Sequence, residues 1–213
     1  MTEEIRAFSK DDELVRERRD YIARNSAKVF VKKGFERASV QELADVCNLS
    51  VGSLYRYFGS KEDILYYFVD RGLGVLAESV EGYLKESQNL NPIEALKGFI
   101  RMYYQLMDDE WNLCLFAYQE TKNLDPAARR KMIDDASRDV AACEKLFRRG
   151  IEAGEFDIEN PTLTAHNIIV LAHMWAVRRW FLKKRFTLEE HIRMQTDAIL
   201  RLVLSEAKEA VIS

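Results

Sequence analysis

Residues 39–65, SVQELADVCNLSVGSLYRYFGSKEDIL, hold three helix-start signals in a short span, and this crowding restricts the chain more than any other feature. Ser39 is followed three residues later by Glu42. That is a capping box, in which the serine hydroxyl accepts from a first-turn N–H and the carboxylate returns to the serine N–H. Ser50 offers a second N-cap, and Ser60 with Asp63 a third. Asn48 lies between the first two, and Asn tolerates the left-handed conformation that stops a helix. VQELADVC and VGSLYRYF therefore have room for about two turns each, too few to be stable alone in water.

Upstream, apolar residues recur at Leu14, Tyr21/Ile22 and Val29/Phe30 with charges on the opposite face, which predicts an amphipathic helix from Asp11 to Lys33. Gly34 suits its C-cap, and Lys32 and Lys33 sit in the last turn, where the helix dipole favours cations. One long helix followed by two short ones is the outline of a helix-turn-helix, and equally of three ordinary helices in an α-domain. Composition separates the two. In VGSLYRYF, Val51, Leu54 and Phe58 form an apolar stripe, while Ser53, Tyr55, Arg56 and Tyr57 surround the rest of the cylinder. Gly52 costs roughly 1 kcal/mol of helix propensity relative to Ala, a poor first-turn choice unless something must approach the backbone closely. A DNA backbone or base edge would do so. Charge agrees: the chain as a whole is −3, yet residues 14–61 carry ten Lys/Arg against five Asp/Glu.

The stretch FVKKGFERASVQELADVCNLSVGSLYRYFGSKEDIL resembles the N-terminal domain of the TetR family of bacterial transcriptional regulators. The resemblance rests on Gly34-Phe35, Ser39-Val40, Leu43-Ala44, Ser50, Gly52, Leu54-Tyr55, Tyr57-Phe58, Ser60-Lys61-Glu62 and Leu65, with departures at Cys47 and Asn48, where the family often has Ala-Gly. It implies a DNA-binding domain over residues 11–65 with a recognition helix at about 51–58. Val51, Gly52, Ser53 and Arg56 fall where family members meet base edges; Arg56 could pair with guanine and Val51 touch a thymine methyl. Ser39, Ser50, Tyr55, Tyr57 and Lys61 fall where the family contacts phosphates, or for Tyr57 sometimes bases. From residue type alone, the tyrosines could equally be packed and Lys61 be a solvated charge.

Residues 66–210 show further helical patterns. Asn91-Pro92, Asp125-Pro126 and Asn160-Pro161 are starts, Gly154 is a stop, and Thr187 with Glu190 caps a last helix. The whole reads as all-α, about nine helices, a helix-turn-helix domain joined to a larger ligand-binding and dimerisation domain. The segment from Ala165 to Ala176 is apolar nearly all round, so it must be covered on more than one side. The resemblance implies a homodimer through helices at about 161–184 and 188–208, presenting two recognition helices to a two-fold symmetric operator. It also implies a small hydrophobic or amphipathic effector that releases a repressor. Phe99, Met102, Tyr103, Trp111, Phe116, Tyr118, His173 and Trp175 are the pocket candidates, each with core packing as the alternative. The run WAVRRWFLKKR, with Arg178, Arg179, Lys183, Lys184 and Arg185, fits a solvated helix end; it also fits family members that sense fatty acyl-CoA, its cations meeting phosphates.

Other functions find less support. His166 and His173 share a helical face, but no third ligand is suitably spaced, so a packed or pocket-lining histidine is expected and no metal. Cys47, Cys114 and Cys143 lack CxxC spacing and read as reduced structural thiols. No GxSxG, P-loop or HExxH motif marks an enzyme, and no cofactor is expected. A helical adaptor, or a DNA-binding protein without an effector, remains the competing class. With no apolar run of about eighteen residues and an acidic N-terminus, neither membrane contact nor a leader is expected, and the cytoplasm is the expected address.

Overall fold

The structure, a computed structural model, describes residues 12–120 and 126–204. The helices run α1 (Asp12–Lys33), α2 (Val40–Val46), α3 (Val51–Leu54), α4 (Lys61–Glu86), a 3₁₀ turn (Ser87–Asn89), α5 (Pro92–Asp109), α6 (Trp111–Glu120), α7 (Pro126–Glu152), α8 (Pro161–Val177), α9 (Arg179–Leu182) and α10 (Leu188–Val203). No strand occurs among the described residues, and Phe156 and Leu204 form an isolated bridge. The fold is all-α, as expected. The expected first residue of the chain's first domain, 11, and the last turn of the final helix, 205–208, lie outside the described residues.

The starts follow the local chemistry. Ser39 and Glu42 form both halves of a capping box, and Ser50 and Ser60 accept from the N–H groups of Ser53 and Asp63. Asn91 and Asn160 cap helices that open with Pro92 and Pro161, and Thr187 with Glu190 completes a second capping box. Gly34 and Asn48 take positive φ at 83° and 52°, ending α1 and turning the chain after α2.

Two expectations change. The recognition helix is regular only over Val51–Leu54, not to residue 58: Tyr57 N–H bonds Leu54 O at 3.0 Å, a tightened turn that carries Phe58 into the core. The helix expected over 161–184 breaks at Arg178 into α8 and α9. At that break Trp175 Nε1, Arg179 and Lys183 all converge on the Asp108 carboxylate of α5, which is the physical reason for the turn.

Two hydrophobic cores result. The first joins Ile22, Ala27 and Phe30 of α1 to Leu43 of α2, Leu54, Phe58, and Ile64, Phe68 and Leu73 of α4. The second packs α5, α7, α8 and α10 around Phe99, Ile100, Phe147, Ile169, Trp175 and Ile199. Helix α6 belongs to both: Leu113 and Phe116 lie in the first core and Cys114 in the second. A Cβ on Gly72 would stand 2.6 Å from Leu113 Cδ2, so the Leu113 side chain of α6 packs into the space a side chain at residue 72 would take. Helix α4 itself crosses the expected boundary at residue 65 without interruption.

Because the Ser39 hydroxyl accepts from Glu42 N–H and donates to its carboxylate, Ser39→Ala is expected to lower the unfolding free energy by about 1 kcal/mol, read from urea denaturation.

Candidate nucleic-acid interface and internal cavity

The turn from Ser50 to Phe58 is anchored on its inner side and open on its outer side. Leu54 and Phe58 are completely buried, and Phe58 meets Tyr67 edge-on at 5.5 Å. Arg19 of α1 donates from Nε to the Tyr57 carbonyl at 3.2 Å, holding the C-terminal end of the turn, a contact that no local sequence signal announces. Gly52, Tyr55 and Arg56 are exposed, and Val51, Ser53 and Tyr57 are half-buried. Ser50 donates its hydroxyl to Ser53 Oγ at 2.9 Å while accepting from Ser53 N–H at 3.1 Å. That leaves the Ser53 hydroxyl proton to be offered outward. A Cβ built on Gly52 meets nothing within 4 Å, so no internal packing accounts for this glycine.

Two of the expected phosphate contacts already have partners. The Lys61 ammonium donates to the carbonyls of Phe35 and Ala38 at 3.0 and 3.1 Å and lies 4.4 Å from the centre of the Phe35 ring. It therefore pins the loop between α1 and α2 onto the start of α4. Ser39 is exposed, yet the Glu42 carboxylate already occupies the N-terminus of α2; Lys33 and Ser39 hold that carboxyl down at about 2. Of the nine expected DNA contacts, Val51, Gly52, Ser53, Arg56, Ser50, Tyr55 and Tyr57 share one continuous turn, and Ser39 and Lys61 serve its supports.

Between α4, α5, α6, α7 and α8 lies a mostly apolar, partly open cavity of about 100 Å³. Three of the eight pocket candidates, Tyr103, Tyr118 and His173, line it. The other five candidates do not. Phe99 is buried in stacking on Tyr103 and Phe116 packs on Phe68 in the first core. Trp175 is completely buried with its Nε1 on Asp108, Trp111 lies under the Arg179 guanidinium, and Met102 flanks the second core. Size alone suggests these five, and large aromatics fill cores as readily as they line pockets. In their place stand Leu73 and Leu76 of α4, Leu113, Glu110, Arg138 and Asp139. A signal for two of these does exist: Glu110 prolongs the stripe Tyr103–Met107 of α5, and Asp139 interrupts the stripe Met132–Ala136–Cys143 of α7. A carboxylate on an apolar face is the mark of something built.

Glu110 also faces Arg24 of α1 at 3.5 Å, and burial raises its carboxyl despite that cation. The basic run near the end of α8 serves elsewhere. Arg179 and Lys183 hold Asp108, while Arg178 lies over Trp180 and Phe181 and Arg185 over Phe181. The three cysteines are free and buried. No helix among the described residues is long and apolar enough to cross a membrane, and no three of their His, Cys, Asp or Glu side chains are grouped to hold a metal ion.

A long helix, two short ones meeting at a tight turn, and a polar turn raised on a buried stripe define a helix-turn-helix transcriptional regulator. The family model described as "Bacterial regulatory proteins, tetR family" matches residues 22–67, and "Tetracyclin repressor-like, C-terminal domain" matches residues 89–203. The chain belongs to the TetR family, whose members are DNA-binding regulators rather than enzymes. It is 29% identical over 202 residues to the HTH-type transcriptional regulator HbdR of Aromatoleum sp. (strain CIB), covering 94% of this chain and 86% of HbdR. The crystal structure of PfmR from Thermus thermophilus is 32% identical, covers 84% of this chain and 97% of PfmR, and superposes with a TM-score of 0.73. At 23% identity the fold is also that of AibR, crystallised in complex with isovaleryl coenzyme A and operator DNA, with a TM-score of 0.69 over 88% of this chain and 98% of AibR.

His173 is pushed down to about 4 by burial, with the His166 charge adding to the effect. An unfolded histidine takes its proton near pH 6.5, so between about 4 and 6.5 the unfolded chain binds a proton that the native chain does not. Stability rises with pH through that window and its full contribution is present above it. His191, also lowered by burial, adds to the slope. His173→Asn is expected to flatten, without abolishing, the rise in melting temperature across this range, checked by thermal denaturation at stepped pH.

Proposed function

We propose that the chain is a homodimeric repressor that reads a two-fold symmetric operator through α3 and the turn after it, and that a small apolar or amphipathic effector in the cavity releases it. One observation carries the reading: the cavity shares a wall with the core on which the DNA-reading turn sits. Leu113 lines the cavity and belongs to the core that holds Leu54 and Phe58, and Glu110 lines it and pairs with Arg24 of α1. A ligand that displaces either side chain acts on the element that seats the reading turn, which is the differential contact that a population shift requires.

On the DNA side, Val51, Gly52, Ser53 and Arg56 meet base edges, and Ser50, Tyr55 and Tyr57 meet the backbone. Lys61 and Ser39 act at one remove by fixing the loop and the helix beneath them. Leu163 and Leu171 on α8 and Met194, Ala198 and Leu202 on α10 are exposed, and the latter three recur at i, i+4 and i+8. Two such stripes bury each other in a two-fold dimer. An acyl-CoA effector draws support from AibR's complex with isovaleryl coenzyme A. The apolar cavity would take the acyl part, with Arg138 of its lining as a phosphate partner in place of the 178–185 run.

The test is mobility shift with DNA from upstream of the chain's own gene, with and without acyl-CoAs and fatty acids. Salt-sensitive, sequence-dependent binding that a ligand weakens is expected; its absence would remove the repressor reading. Gly52→Ala, which meets no internal obstacle, is expected to leave stability unchanged or raise it by up to about 1 kcal/mol while lowering operator affinity at least tenfold. Leu163→Glu with Leu202→Glu is expected to give monomers by sedimentation and to lose operator binding, because one reading turn alone addresses half of the site.

A further inference from the structure

The polar groups of the cavity form a chain with a fixed direction. Asp139 as a carboxylate can only accept, so the one phenolic proton of Tyr103 goes to its Oδ2, 2.7 Å away. With that proton spent, the Tyr103 oxygen is an acceptor toward His173 Nε2 at 3.2 Å, and the histidine proton must reside on Nε2. Burial keeps the imidazole neutral, so Nδ1 is bare and accepts from the Tyr118 hydroxyl at 3.2 Å. Each proton from Tyr118 through His173 and Tyr103 therefore points toward Asp139.

The consequence falls on Tyr118, the outer end of the chain, half exposed and on the cavity wall. Its proton is engaged, and what its oxygen shows a ligand is lone pairs. The charged lining residues are Glu110, Asp139 and Arg138, two carboxylates to one cation. Glu110 already resists ionisation because it is buried, and a ligand carboxylate set among these groups would add a third anion to a mostly apolar space.

We infer that the cavity selects an apolar molecule whose polar end carries an uncharged hydrogen-bond donor, a hydroxyl or an N–H, given to the Tyr118 oxygen, and rejects a free carboxylate there. This rests on the effector reading of the cavity and names the chemistry that the effector brings. A site arranged to accept a donated proton discriminates against an analogue lacking it more strongly than an apolar wall discriminates by shape.

The experiment is calorimetric titration of the full chain with two matched sets: 4-butylphenol, 4-butylanisole and 4-butylbenzoate; and decanol, decyl methyl ether and decanoate. The phenol and the alcohol are expected to bind at least tenfold more tightly than the ether and carboxylate of their set. Tyr118→Phe, a surface-facing change that keeps the ring, is expected to bring the ratio of donor to ether close to one. Equal binding of ether and donor, tightest binding by a carboxylate, or unchanged discrimination in Tyr118→Phe overturns the inference and leaves the cavity an effector site. If no probe binds and no acyl-CoA or fatty acid raises the melting temperature, the effector reading fails and the inference with it.

Discussion

A helix of four residues cannot hold itself together. One turn fixes several backbone dihedrals for a single intrahelical hydrogen bond, so α3 exists only because its surroundings supply what its length does not. Ser50 caps it in front, Leu54 and Phe58 draw it down into the first core, and Arg19 grips the Tyr57 carbonyl behind. The support continues outward: Lys61 bridges the Phe35 and Ala38 carbonyls to the start of α4, and Glu42 is held between Lys33 and Ser39. Most of the ordering entropy of the exposed turn is met by folding rather than by DNA, the physical meaning of a preorganised binding element.

The second constraint is α6. A helix that contributes Leu113 and Phe116 to one core and Cys114 to the other cannot shift without disturbing both. Glu110, at its N-terminal edge, lies in the cavity lining and against Arg24, so the electrostatics of the proposed ligand site and of the first domain meet at one carboxylate. Close contact at Gly72 leaves little slack between α4 and α6, and α4 carries the first core at one end and cavity wall in its middle. Coupling on this account needs no long pathway, since the cavity shares Leu113 with the core beneath the reading turn and meets α1 through Glu110.

Legibility in the sequence follows the range of the interactions. Caps and stops act within three or four residues, so Ser39, Ser50, Ser60, Asn48, Asn91, Asn160 and Thr187 could be read directly. The inward stripe of Leu54 and Phe58 was legible for the same reason. Lys61 was not, because its partners lie twenty-three and twenty-six residues away. The end of the recognition helix was missed too, since Phe58 is pulled inward by Tyr67 of α4 and Arg19 of α1, neither of them a local signal. The cavity was least legible: Tyr103 and Phe99 lie on one helix and stack on each other, yet only Tyr103 reaches the cavity, and which of them does so depends on how five helices pack.

The double membership of α6 sets the unit in which such a chain can be rebuilt. Cutting after residue 65 would separate a DNA-reading segment from two side chains that complete its interior, Leu113 and Phe116, one of them completely buried and the other nearly so. A transplanted reading segment would then expose apolar surface where it expects a partner helix. The portable module is discontinuous: α1 through the first half of α4, plus α6 or a helix that reproduces its inward face.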